Sequence, residues 1–171
     1  MSEIFHLEQR ISIAIVTVSD TRSLQTDESG QLIRKLAQEK GLVIAAYEIV
    51  KDDAEEIRKT VSRLLELERV DAVITTGGTG IAKRDVTYEA VTPLFEKELP
   101  GFGELFRFLS YTEDIGSKAL LSRAAAGTSV HKALFVLPGS RGAVRLAMEK
   151  LILPEIRHIV FELTKHLQAR E

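Results

Sequence analysis

The run from Ile11 to Val18 constrains the fold most, because it is apolar almost throughout and lacks an alternation of buried and exposed residues. A strand of that kind suits the middle of a parallel sheet, where both faces are covered. Parallel strands need crossover connections, and the segments that follow supply them. Asp27 to Lys40 reads as a helix with Leu32, Ile33, Leu36 and Ala37 on one side and Gly41 as its stop. A second strand spans Leu42 to Val50. Asp52 or Asp53 then caps a helix whose apolar positions are Ile57, Val61, Leu64 and Leu65. A third strand, Val70 to Thr76, runs into Thr-Gly-Gly-Thr-Gly at residues 76 to 80.

The remainder repeats the theme less regularly. A helix is expected near Val86, capped by Asp85, and another over Phe102 to Tyr111, with Pro93 and Pro100 breaking the region between them. Ala133 to Leu137 reads as a strand that ends in Pro-Gly-Ser at 138 to 140. Two final helices fill Gly142 to Leu167, with Pro154 at their junction. Alternating strands and helices predict an α/β fold with a mostly parallel sheet, as one domain over residues 1–171.

Charge and composition exclude several classes. The chain carries 23 basic and 25 acidic residues, a formal charge of −2, with no basic stripe of the kind nucleic acid requires. With no cysteine, disulfides, thiolate catalysis and thiolate metal sites are excluded. Met1 to His6 lacks the basic and apolar regions of a signal peptide, and no apolar run approaches the roughly 20 residues of a membrane span. A soluble, cytoplasmic protein is expected.

In parallel sheets, ligands sit beyond the carboxyl ends of the strands. Three post-strand segments are therefore candidates: Ser19-Asp20, Thr76 to Gly80, and Pro138 to Ser140. The three glycines Gly77, Gly78 and Gly80 allow close backbone approach and a nest of N–H groups for phosphate, and Thr79 adds a hydroxyl. The alternative is a tight turn without a ligand. The Lys-Ser/Thr pair of a P-loop is missing. Asp85 reads either as a helix cap or as a carboxylate at the mouth of an anion site, where Mg²⁺ takes one or two carboxylates beside phosphates. One of Asp52 and Asp53 is likewise spare if the other caps. Gly139 and Ser140 open a helix whose N-terminus suits an anion, unless Ser140 only caps it. Ser122 and Arg123 offer a hydroxyl and a bidentate cation, or Arg123 is a surface charge. Glu104 faces either the pocket or solvent. His6, His131, His158 and His166 share no metal-ligand spacing. Met148, Leu151, Ile152, Ile156 and Ile159 read as core or subunit interface.

In combination, Thr17 to Asp20, Asp27 to Gly30, Thr76 to Gly80, Arg84 to Thr87, Pro100 to Glu104, Leu121 to Arg123, Ala126-Gly127 and Leu137 to Ser140 resemble the molybdopterin-binding domain family, which includes molybdopterin adenylyltransferases and a related biosynthesis protein B. The likeness extends over nearly the whole chain. It implies a three-layer α/β/α sandwich assembled as trimers or hexamers. It also implies a reaction in which ATP and molybdopterin give adenylylated molybdopterin and pyrophosphate with Mg²⁺, or, alternatively, a paralogue that binds molybdopterin without chemistry. On this resemblance Asp52 and Asp85 are the metal-linked carboxylates. Asp20, Asp27, Ser29 and Gly30 match the nucleotide side, and Ser122, Arg123 and Pro138 to Ser140 match the pterin side. Tyr88 stands where the family often has proline. Gly127 to Lys132 lacks the usual Gly-Lys or Gly-Asn hairpin, which implies a change at the pterin end. Phe106 to Tyr111 and Ala143 to Met148 look more like protein B than like the adenylyltransferase branch.

Overall fold

The computed structural model of the chain describes residues 10–168; His6 and the N-terminal segment read above for a targeting signal lie outside them. Ser12–Val18 forms β1, Glu28–Glu39 α1, Val43–Val50 β2, Ala54–Leu65 α2 and Ala72–Thr76 β3. Then come α3 at Thr87–Val91, a 3-10 turn at Thr92–Leu94, the short strand β4 at Lys97–Glu98 and α4 at Pro100–Glu113. A 3-10 segment at Gly116–Leu121 leads to β5 at Ala125–Ser129 and β6 at Lys132–Leu137. The chain closes with α5 at Arg141–Ala147, a π-helical turn at Met148–Ile152 and α6 at Leu153–Gln168.

The six strands lie in the order β2-β1-β3-β6-β5-β4. β2, β1, β3 and β6 are parallel, and β5 and β4 continue the sheet antiparallel. Because side chains alternate across a strand, β1 feeds two separate cores. Ile13 and Ile15, with Ile11 just before the strand, pack with Leu32, Ile33 and Leu36 of α1, Phe106 of α4, and Val144, Met148 and Ile156 of the final helical stretch. Ala14, Val16 and Val18 pack on the other side with Ile57, Val61 and Leu64 of α2 and Ala90 and Val91 of α3. Helices thus cover both faces, the α/β/α sandwich expected. Strand order reverses between β1 and β3, so a crevice opens at their carboxyl ends. No helix among the described residues is long and apolar enough to cross a membrane.

Four expectations change. Asp85 does not cap α3, whose N-cap residue is Val86 with no side-chain hydrogen bond; the Asp85 carboxylate instead accepts from Ala82 N at 3.0 Å and closes the preceding turn. Pro154 does not separate two helices, since α5, the π turn and α6 are continuous. Proline removes a donor and crowds the carbonyl four residues back, and the wider π turn immediately upstream accommodates both. β4 and β5 are additions; within β5, Phe95 lies directly over Gly127 and leaves no space for a Cβ there. Finally, a two-residue hairpin does join β5 to β6, through Val130 (φ 53°) and His131 (φ 61°). It lies at the amino end of β6, some 17–20 Å of strand away from Pro138 within the chain.

Candidate functional site

Four loops meet at the carboxyl edge of the sheet, and their own hydrogen bonds bind them together. After β1, Ser19 N donates to Val50 O at 2.8 Å, and Ser19 Oγ accepts from Thr21 N and Arg22 N. Asp52 N, after β2, donates to Asp20 Oδ1 at 3.0 Å. Gly77 N, after β3, donates to Leu137 O at 3.1 Å, and Thr76 Oγ1 donates to Pro138 O at 2.8 Å. Ser29 Oγ of α1 donates to Gly139 O at 2.7 Å.

Within that frame the glycine loop is polarised. Gly77 and Gly78 adopt φ of 95° and 68°, the left-handed region that side chains disfavour. A Cβ on Gly77 would collide with Val18 O, and one on Gly78 with Thr87 Oγ1, so the loop is wedged between β1 and α3. The carbonyls of Gly78, Thr79 and Gly80 are occupied. Gly78 O accepts from Thr87 N at 3.0 Å, Thr79 O from Arg123 Nε at 3.1 Å, and Gly80 O from Arg123 Nη2 at 2.7 Å. The N–H groups of Gly78, Thr79 and Gly80 donate to no acceptor among the described residues. These three residues line a cavity of about 370 Å³, together with Asp85, Ser122, Pro138, Gly139 and Ser140. Three successive unspent donors beside a cavity form an anion nest. Ser140 Oγ accepts from Ala143 N at 3.2 Å, so this hydroxyl caps α5 at the cavity wall.

The Asp52 carboxylate belongs to the β1 and β2 side of the loop, whereas Asp85 lines the cavity. Asp53 is the cap of α2, accepting from Glu56 N at 2.9 Å, which leaves Asp52 spare. Burial, the Asp20 carboxylate and, more weakly, that of Asp85 push Asp52 above the ordinary carboxylate range, with Arg84 opposing. Asp52 Oδ1 lies 3.1 Å from where a Cβ on Gly78 would sit, so it borders the nest. Beneath the loop the Thr87 hydroxyl is buried and without a hydrogen-bond partner. This donor set is all oxygen and suits a hard divalent cation such as Mg²⁺. Among the described residues no three Asp, Glu, His or Cys groups converge as a metal-binding cluster. A cation at this place would therefore draw on Asp52 and Asp85 and complete its shell from phosphate and water.

Other residues singled out in the sequence have different surroundings. Asp27 is fully buried; its Oδ1 accepts from Gly30 N at 3.0 Å and its Oδ2 from Tyr47 OH at 2.5 Å. Burial and that carboxylate raise the Tyr47 phenol well above its usual range. Asp27, Ser29 and Gly30 therefore anchor the loop floor rather than line the cavity. Arg123 sits behind the glycine loop, and Glu104 is exposed on α4, outside the cavity lining. The sequence did not mark Phe106, Ser110 and Asp114, which follow one another at intervals of four along α4 and its C-cap, or Lys118 as site residues; all four line the cavity. Their helical spacing was the available signal.

With that geometry in place, the comparisons are specific. The family described as "Probable molybdopterin binding domain" matches residues 14–158. The chain is 59 % identical over 155 residues to Molybdenum cofactor biosynthesis protein B of Bacillus cereus, covering 91 % of this chain and 92 % of that protein. A crystal structure of a Molybdenum cofactor biosynthesis protein B superposes with a TM-score of 0.90 at 58 % identity, covering 92 % of this chain and 98 % of the other. The tungsten cofactor synthesizing protein MoaB of Pyrococcus furiosus gives 0.80 at 37 % identity, over 91 % and 98 % of the two chains. This chain belongs to the molybdopterin-binding domain family of molybdenum cofactor biosynthesis.

Proposed function

We propose that this chain binds molybdopterin in the cavity beside the glycine loop and catalyses its Mg-ATP-dependent adenylylation. The observation that carries the reading is the polarised loop: three free N–H donors on residues that line a cavity, with Asp85 in the cavity wall and Asp52 bordering Gly78. The terminal phosphate of molybdopterin attacks the α-phosphorus of ATP, one P–O bond forms, the bond to the leaving pyrophosphate breaks, and no protein nucleophile is needed. The chain's contribution is positioning and charge stabilisation. The N–H groups of Gly78, Thr79 and Gly80 hold phosphate oxygens, while Ser122 and Ser140 border the space for the pterin. Mg²⁺, held by Asp52 and Asp85, would neutralise the triphosphate. Asp20 keeps the Asp52 backbone in place.

The test is to incubate the protein with molybdopterin, ATP and Mg²⁺ and follow adenylylated molybdopterin by chromatography. Product is expected, and Asp85→Asn is expected to abolish it while leaving the fold intact. Molybdopterin binding without product would instead make the chain a carrier. An unchanged rate in Asp85→Asn would remove that residue from the mechanism.

The same reading includes a homo-oligomer, trimer or hexamer. The outward face of α4 and the following 3-10 segment supports it, with Phe108, Tyr111, Leu120 and Leu121 all exposed. Tyr111 and Leu120 line one groove.

A further inference from the structure

We propose that Arg123 is a positioning residue, locked by Glu89, that turns the glycine loop's carbonyls away from the cavity so that its N–H groups face the ligand. The proposal rests on the reading above that this loop holds phosphate.

Three observations carry it. First, the guanidinium is committed to the loop: Nε donates to Thr79 O and Nη2 to Gly80 O, the two carbonyls that would otherwise compete with the neighbouring N–H groups for the cavity. Second, its position is fixed from behind. Nη1 pairs with Glu89 Oε1, Nη2 approaches Glu89 Oε2 at 3.3 Å, and the guanidinium lies 5.1 Å from the centroid of the Tyr88 ring. This pairing also lowers the Glu89 carboxyl. Third, neither Arg123 nor Glu89 lines the cavity, whereas Ser122 does. The segment that carries Arg123 is itself held by another arginine, Arg107, whose Nη1 donates to Ala124 O at 2.9 Å and Ser122 O at 3.4 Å. A planar fork of five donors can serve two carbonyls and a carboxylate at once; a lysine ammonium cannot do so in this geometry.

The two roles open to Arg123 predict opposite signs for one variant. If Arg123 were a direct phosphate ligand, Glu89→Gln would release a cation and tighten binding. As a positioning residue it needs Glu89, so Glu89→Gln is expected to weaken molybdopterin binding, on the order of tenfold for the loss of a charged hydrogen bond. Arg123→Lys keeps the charge and loses the fork, and is expected to weaken binding equally.

The experiment measures the molybdopterin Kd of wild type, Glu89→Gln and Arg123→Lys, together with amide exchange in the ligand-free proteins. The Thr87 and Gly77 amides, which anchor the loop to its neighbours, are expected to exchange faster in both variants, with β1 unchanged. Tighter binding in Glu89→Gln, full rescue by lysine, or unchanged exchange would each overturn the proposal. Failure of the wild type to bind molybdopterin would refute the functional reading alone, and exchange would then decide the clamp.

Discussion

Asp52 and Asp53 are adjacent and chemically identical, yet one is spent and the other is not. Asp53 satisfies the Glu56 N–H as a helix cap. Asp52 is left among Asp20 and Asp85, and its carboxyl is raised. The folded protein therefore holds the Asp52 proton more tightly than the unfolded chain does. Its contribution to stability is complete below the ordinary carboxylate range and is lost as pH rises through the raised value. Asp52→Asn is accordingly expected to raise the melting temperature at pH 8, and to change it little below about pH 4; thermal melts at the two pH values check this. Equal destabilisation at both would contradict the repulsion argument. At this scale the sequence was partly legible. Polar residues and glycines directly after strands pointed to the right edge of the sheet, because strand ends are visible as hydrophobic boundaries. Where Asp27 and Arg123 point was not visible. Asp27 turns inward to meet Tyr47 from β2, and Arg123 turns behind the loop to meet Glu89 from α3, and both partners are distant in sequence.

Among the elements, the β5–β6 hairpin departs most from local preference. Type I′ hairpin turns need positive φ at both central residues and favour Asn-Gly, yet Val130 and His131 occupy them here. A left-handed conformation costs an L-residue about 1–2 kcal/mol. Glu96 helps hold the turn by accepting from Val130 N at 2.7 Å, and the His131 ring lies 4.9 Å from that of His166. Val130→Asn is expected to stabilise the protein by about 1 kcal/mol, a rise of roughly 2–4 °C in Tm by calorimetry. The same local conflict explains why this hairpin was illegible beforehand: its turn carries no turn signal and β5 has no strand composition. The long elements were legible, since β1, α1, β2, α2 and β3 combine an unambiguous period with clear caps. α3 was misread at its start because the Asp85 carboxylate found a nearer donor in Ala82 N–H.

For the whole molecule, the alternation of apolar and amphipathic segments was enough to give the layered architecture, because only a parallel sheet with helices on both faces buries every stripe. The antiparallel extension through β5 and β4 was not contained in that pattern. Nor was the choice of which helix face remains uncovered. Phe108 is 63 % and Leu120 87 % exposed, and together they set the expectation for assembly. A Phe108→Asp, Leu120→Asp double variant should elute as a smaller species than wild type in size exclusion with light scattering. Identical masses would move the contact elsewhere. The proposed site and the strained hairpin occupy opposite ends of β6, separated by the length of that strand. The molecule thus has a natural handle. A fluorophore, a surface tether or a short flexible insertion placed between Val130 and His131 would sit at the far end from the cavity. Titrations through such a label would report on the bound pterin without a chromophore in its way.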